Sequence, residues 1–341
     1  REEREQQFCV SCDSFLPDRF IKGDCPKCEA PDQYGDGCEQ CGATYETTEL
    51  GSPRCAMCGD EPVIRSSERL LFDLPRYTEA LQAWTQSALQ PSVKNWVDGW
   101  FEGGLKPWDI SRDGPYFGFP IPGEDNKFFY VWLDAPVGYI ATCRRWCEDQ
   151  GWDDPDHLWR DETAERIHVI GKDIVYFHAL FWPAMLMGSG WGLPTRIQVH
   201  GMLQVNGEKM SKSRGTFIGA RAWADHLPPE YLRFYYARRL NDGIEDLSLD
   251  FDDFVGAING ELVGKFVNLC SRTIGFVGKR FDGEIADRDP EAGDLIDRLR
   301  VRSGQAVERF AAFQHAQAMR LLIESADEAN TYLQDRAPWA L

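Results

Sequence analysis

Eight of the 11 cysteines in this chain fall into four C-x-x-C pairs within fifty residues: Cys9/Cys12, Cys25/Cys28, Cys38/Cys41 and Cys55/Cys58. A two-residue gap lets both thiolates of a pair face one tetrahedral ion at about 2.3 Å. Gly42 and Gly59 directly follow two of the pairs, as a knuckle that turns its amides toward sulfur requires. Disulfides are the weaker reading, because arrays of paired cysteines inside cells are usually zinc sites. Cys25, Cys28, Cys38 and Cys41 lie close in sequence and suit one ion, leaving Cys9, Cys12, Cys55 and Cys58 for a second. Sequential pairing is the alternative. Either way the spacing predicts one or two structural zinc ions with no open coordination position, holding together a polar module too small for a core of its own.

A second stretch stands out by charge. Gly207-Glu208-Lys209-Met210-Ser211-Lys212-Ser213-Arg214-Gly215 sets two lysines, two serines and an arginine between glycines, in a chain of net charge -18. Lysine ammonium and serine hydroxyl are donors suited to phosphate oxygens, and glycine lets backbone approach a ligand. The same residues also make an ordinary basic turn. The overall acidity argues against a polyanion partner on average, while local patches decide binding. No apolar run approaches the roughly 18 residues that span a bilayer. The charged start, Arg1 to Gln7, is not a secretory signal, so a cytoplasmic protein with no membrane partner is expected.

Between these features the apolar pattern reads as helix from Leu70 to Trp108, a turn-rich break at Ser111 to Pro115, and a buried strand at Phe128 to Leu133. Helix resumes from Val137 to Trp146. Strands at Ile167 to Ile170 and Arg196 to Val199 flank a helix from Ile174 to Met187. Apolar strands alternating with helices imply a parallel sheet, whose ligands bind at the carboxyl ends of strands. Asp173 sits at such an end. Its carboxylate suits a ribose diol, and equally a helix N-cap. Tyr139 and His178 lie on the following helices, where packing in the core is the default role.

Taken in order, these pieces resemble the class I aminoacyl-tRNA synthetases, and within them the methionyl-tRNA synthetases. The resemblance is carried by Phe15-Leu16-Pro17-Asp18-Arg19-Phe20, the stretch from Cys25 to Cys41, Tyr130 to Pro136, Gly171 to His178 and the Lys209 to Ser213 loop. It implies an α/β fold: the C-terminal half of a Rossmann-type nucleotide fold with a zinc-knuckle insertion and an all-α helix-bundle anticodon-binding domain. It also implies ATP-dependent formation of methionyl-adenylate and transfer of methionine to its tRNA. Lys209, Ser211, Lys212 and Ser213 match the loop that stabilises the phosphates of ATP, bound with Mg. Gly171 and Asp173 match the ribose contact. Trp132, Pro136, Tyr139, Ile174 and His178 match the wall of the methionine pocket, and Arg112 an arginine that steers the loop.

Beyond Asp250 the pattern becomes a helix bundle, with helices expected over 291–313 and 316–335 after a first long one; Ala220 to Asn241 is expected as a single helix before it. Asn268 and Arg272 lie four apart on one face, and Trp339 follows Pro338. The resemblance implies that these three read the anticodon by hydrogen bonding and stacking. It further implies domains at 1–65 (zinc knuckle), 66–127 (rest of the insertion), 128–205 (second half of the catalytic domain), 206–250 (loop and linking helices) and 251–341 (bundle). The family's H-x-G-H motif is absent among the six histidines. The chain is therefore expected to be a carboxyl-terminal part, inactive in adenylate formation by itself, with any homodimer made through a module outside it. Two other readings stay open: a class I synthetase of the leucine, isoleucine and valine group, and a non-catalytic zinc-ribbon RNA-binding protein. Enzymes of the first kind usually carry a much longer editing insertion than the roughly seventy residues from Cys58 to Tyr130, and the second does not explain the Lys209 loop, so methionine is the better reading.

Overall fold

The computed structural model describes residues 1–35, 37, 38, 41, 43, 45–210, 217–285 and 292–340, apart from the side chain of Lys209. They form two compact units: Arg1–Gln86, Val97–Arg166 and Tyr176–Pro194 in the first; Ser87–Trp96, Ile167–Val175 and Thr195–Leu341 in the second.

In the first unit, β1 (Glu2–Cys9) pairs antiparallel with β4 (Val63–Arg69), Glu2 opposite Arg69 through Phe8 opposite Val63. Between them, β2 (Ile21–Asp24) pairs antiparallel with β3 (Gly51–Cys55). A Cβ on Gly23 would lie 2.5 Å from the carbonyl oxygen of Gly51, so this crossing tolerates only glycine. The core of the cysteine region is small: Cys9, Leu16, Ile21, Leu50 and Cys55. Such a cluster buries too little apolar surface to hold fifty residues without help.

The helical stretch expected from Leu70 to Trp108 is divided. Leu71 and Phe72 pair with Asp109 and Trp108 as short strands, then α1 (Thr78–Ala88) and α2 (Pro91–Glu102) follow. Pro91 lacks an N–H and suits only the first position of a helix, so the chain restarts there. The strand expected at Phe128 to Leu133 is also corrected. Only β6 (Lys127–Phe129) is extended, and it pairs antiparallel with β5 (Ser111–Asp113). Its partner is three residues long, so the ladder stops at Phe129, and Val131–Asp134 closes a helical turn instead. α3 (Val137–Asp149) and α4 (Trp182–Ser189) pack through Ile140, Trp182 and Leu186, with Trp159 between them.

The second unit holds the parallel pair: β7 (Ile167–Gly171) beside β8 (Arg196–His200), Ile167 opposite Arg196 through Gly171 opposite His200. The buried Gln90 side chain acts as one more rung on β8, accepting from Val199 N at 2.6 Å and donating to Val199 O at 3.0 Å. A second sheet places β9 (Leu203–Val205) between antiparallel β10 (Glu208–Lys209) and parallel β11 (Leu247–Leu249). Asn206 and Gly207 join β9 to β10 with φ of 48° and 79°. Two positive φ values are what a two-residue type I′ hairpin demands, and Asn-Gly meets them.

The helix expected from Ala220 to Asn241 is two helices, Ala220–Ala224 and α5 (Pro229–Ala237), because Pro228-Pro229 cannot continue the first. A bundle follows: Phe251–Ala257, a wide π segment at Ile258–Val267, α6 (Asn268–Phe281), α7 (Gly293–Ala311) and α8 (His315–Arg336). Its core joins Trp223, Phe234, Tyr235, Leu249, Phe254 and Ile258.

Candidate functional site

The eight paired cysteines make two clusters, Cys9 with Cys12, Cys55 and Cys58, and Cys25 with Cys28, Cys38 and Cys41. In each, all four sulfurs lie within 4.8 Å of one another. The Cys9–Cys58 and Cys12–Cys55 sulfurs are 3.4 and 3.9 Å apart; Cys25–Cys41 and Cys28–Cys38 are 3.9 and 3.6 Å apart. A tetrahedron of thiolates around zinc has edges of about 3.8 Å, so both clusters fit that ion. Backbone N–H groups of Lys27 and Cys41 point at the sulfurs of Cys25 and Cys38, at 3.4 and 3.3 Å. Crowding shows in the thiols: bonding to Cys58 and Cys9 helps push Cys12 up to about 12. Gly42 lies outside the described residues.

Still within the first unit, three of the expected pocket residues come together. Tyr139 Oη lies 2.9 Å from His178 Nε2. His178 is 0% exposed. Trp132 stacks on Phe177 at 4.3 Å between centroids and lies nearly perpendicular to the His178 ring at 6.2 Å. Pro136 is buried at the start of α3. His178 rides on a π-helical segment, Phe177–Phe181, that sequence periodicity does not reveal. Such wide turns concentrate at functional sites, and the nearby Pro183 removes one α-type hydrogen bond from this ladder.

In the second unit, β7 ends at Gly171, and Asp173 and Ile174 follow in a 3-10 turn. A Cβ at Gly171 would stand 2.8 Å from Asp173 Oδ1, so glycine is what lets that carboxylate fold back over the strand end. Lys172 Nζ reaches Asp246 at 2.7 Å, which holds the Asp246 carboxyl below its usual range. Of the basic loop, Lys209 contributes its backbone to β10, opposite Gln204. Ser211, Lys212 and Ser213 lie outside the described residues. In the bundle, the Arg272 guanidinium sits 4.7 Å over the Trp339 ring and donates to Gln334 at 3.1 Å. Asn268 stands exposed one turn earlier on α6.

Sequence reasoning missed a buried charge network in the first unit. Arg69, 1% exposed, faces Asp113 at 3.2 Å and Asp109 at 3.9 Å. Asp109 also pairs with Arg112 at 3.2 Å, and Arg112 stacks on Tyr130 at 4.0 Å. Lys127 closes on Asp113 at 2.7 Å. Arg4, Glu46, Asp109 and Arg112 line two neighbouring clefts, of about 590 and 750 Å³. Burial alone would raise the Asp113 carboxyl; bonds from Lys127 and Ser67, with the charge of Arg69, hold it below its ordinary 3.8 instead. A depressed carboxyl stabilises the fold above its unfolded value and loses that contribution as pH falls through the folded one. Asp113→Asn should therefore lose stability at neutral pH and flatten the acid limb below about pH 4. Urea midpoints measured from pH 7 down to acid check this, and parallel curves for both proteins contradict it.

The family model for tRNA synthetases class I (M) matches residues 1–274. The chain belongs to the class I tRNA synthetases. Solved members of this family include the Mycobacterium tuberculosis methionyl-tRNA synthetase bound by methionyl-adenylate, similar to this chain with a TM-score of 0.74 and 25% identity. A further structure of that enzyme in complex with methionyl-adenylate gives 0.74 and 26%. Its apo form gives 0.72 at 24% identity, a likeness of fold. The first two are covered over 99% of this chain and 62% of theirs, so the chain spans under two thirds of their length. The α/β fold, the helical C-terminal region and the cysteine clusters that could hold zinc agree with that family. No helix among the described residues is long and apolar enough to cross a membrane.

Proposed function

We propose that this chain is part of a methionine–tRNA ligase, which uses ATP with Mg to form methionyl-adenylate and then charges methionine tRNA. The observation that carries the reading is the Trp132–Tyr139–His178 cluster, in a chain whose solved neighbours are described as bound by methionyl-adenylate. Aromatic rings around a thioether gain roughly 0.3–1.5 kcal/mol per sulfur contact, a preference that branched aliphatic side chains do not share. In this reading Trp132, Pro136, Tyr139 and His178 meet the amino-acid side chain, and Ile174 keeps the pocket assignment that its motif implies. Gly171 and Asp173 take the ribose, the latter by accepting hydrogen bonds from its diol. Lys209, Ser211, Lys212 and Ser213 stabilise charge on the phosphates as pyrophosphate leaves. The cysteine clusters would hold zinc as a structural ion. The domain division at 1–65, 66–127, 128–205, 206–250 and 251–341 belongs to the same reading.

Asn268, Arg272 and Trp339 are assigned to the anticodon. Single-stranded bases gain roughly 1–3 kcal/mol each by stacking on aromatic rings, and a guanidinium over a ring extends such a platform. Arg272→Ala removes the cation 4.7 Å above Trp339. It should weaken binding of methionine tRNA about tenfold, some 1.4 kcal/mol, and spare a tRNA with another anticodon. Fluorescence anisotropy with both tRNAs tests this. An equal loss for both makes Arg272 a phosphate contact and removes the anticodon assignment.

A further inference from the structure

Asp246 ties together segments of the second unit that meet at the carboxyl ends of its parallel strands. There β7 and β8 end side by side, Gly171 opposite His200. Immediately beyond them the chain crosses itself: a Cβ on Gly201 would collide with the carbonyl of Glu245, so only glycine allows this approach. The crossing puts the Asp246 carboxylate where two other segments reach it. Its Oδ1 accepts from Lys172 Nζ at 2.7 Å and from the Met202 N–H at 2.8 Å, and its Oδ2 accepts from Gln204 Nε2 at 3.2 Å. The Leu247 N–H donates in turn to Met202 O at 2.9 Å, where the pairing of β9 with β11 begins.

Lys172 shares its 3-10 turn with Asp173, and β9 runs through the Asn206-Gly207 hairpin into Lys209. An ion pair whose side chains are 33% and 30% exposed is worth little by itself. Three donors from two segments converging on one carboxylate are a different case, because displacing either segment strains the carboxylate's bonds to the other. We infer that Asp246 is a positioning residue, which holds the turn carrying Asp173 and the hairpin carrying Lys209 in one frame. The roles of that turn toward ribose and of that hairpin toward phosphate rest on the function proposed above; the joint itself does not.

The test uses the full chain with Lys172→Met, Lys172→Arg, Asp246→Asn, and the double variant Lys172→Met, Asp246→Asn. In Lys172→Met, hydrogen exchange should quicken at least about threefold across residues 202–209, although the substitution lies in the other segment. Asp246→Asn should do the same at both 171–175 and 202–209, and the double variant should add nothing further. Lys172→Arg, which keeps the cation, should match the parent, and α7 and α8 should keep their protection in every variant. Exchange that quickens only in the substituted segment, or rises equally in α7 and α8, overturns the inference. Calorimetric titration then reads the consequence for a ligand. A non-hydrolysable methionyl-adenylate analogue should bind the parent at least about fivefold more tightly than its 2′,3′-dideoxyribose counterpart, and Asp246→Asn should bring that ratio near one. Equal weakening of both compounds, with the ratio kept, makes Asp246 a stabilising contact only and overturns the inference. A parent that binds neither compound refutes the proposed function instead, and the exchange pattern then decides the joint alone.

Discussion

Treating the folded protein with a strong zinc chelator is expected to unfold residues 9 to 60 before any other part of the chain. The region has one small core, Leu16, Ile21 and Leu50 beside Cys9 and Cys55, and a second cluster of Cys25, Ala30 and Cys38. Neither supplies the apolar burial that fifty ordered residues need against their conformational entropy. Structural zinc provides on the order of 10–16 kcal/mol of apparent binding energy to small cysteine modules, and that energy is folding energy. Hydrogen exchange after chelation should lose protection across β1, β2 and β3 while α7 and α8 keep theirs. Native mass spectrometry should count two ions per chain. Cys25→Ser should lose one ion and loosen the knuckle around it, and Cys9→Ser the other. A chelated protein with unchanged exchange in β2 and β3 contradicts the account.

The second large effect is expected at Arg69. Its guanidinium is closed off from water, and burial lowers its pKa from the ordinary value even with the charges of Asp113 and Asp109 beside it. Removing one partner of a buried pair leaves the others charged and desolvated, a cost of about 3–5 kcal/mol. Arg69→Met keeps much of the stem and should still lose that amount, because Asp113 and Asp109 keep their carboxylates in place. A triple variant that also replaces Asp113 and Asp109 with asparagine should recover a large part of it. Urea denaturation of the single and triple variants gives both numbers, and a single variant within about 1 kcal/mol of the parent refutes the assignment.

How far these features were legible in the sequence depends on how local their causes are. The cysteine pairs were legible because a two-residue gap is itself the geometry of a thiolate pair. The parallel strands β7 and β8 were legible as apolar runs ending in glycine and histidine. The run from Phe128 to Leu133 was not, since an unbroken apolar run cannot tell strand from helical turn; the short partner β5 decides where it ends. Arg69 was opaque for a different reason. It lies in a polar stretch, Ser66-Ser67-Glu68-Arg69, and its burial is set by carboxylates at positions 109 and 113. The Tyr139–His178 bond likewise joins residues 39 apart, on helices whose pattern alone assigns both to the core. The resemblance of motifs, and not periodicity, singled them out.

The proposed amino-acid substrate is methionine. Calorimetric titration of the protein with non-hydrolysable methionyl- and leucyl-adenylate analogues tests it most directly. The methionyl compound should bind at least about tenfold more tightly, some 1.4 kcal/mol, and His178→Ala should erase the difference. Equal affinity for the two compounds, or a preference for the leucyl one, contradicts it.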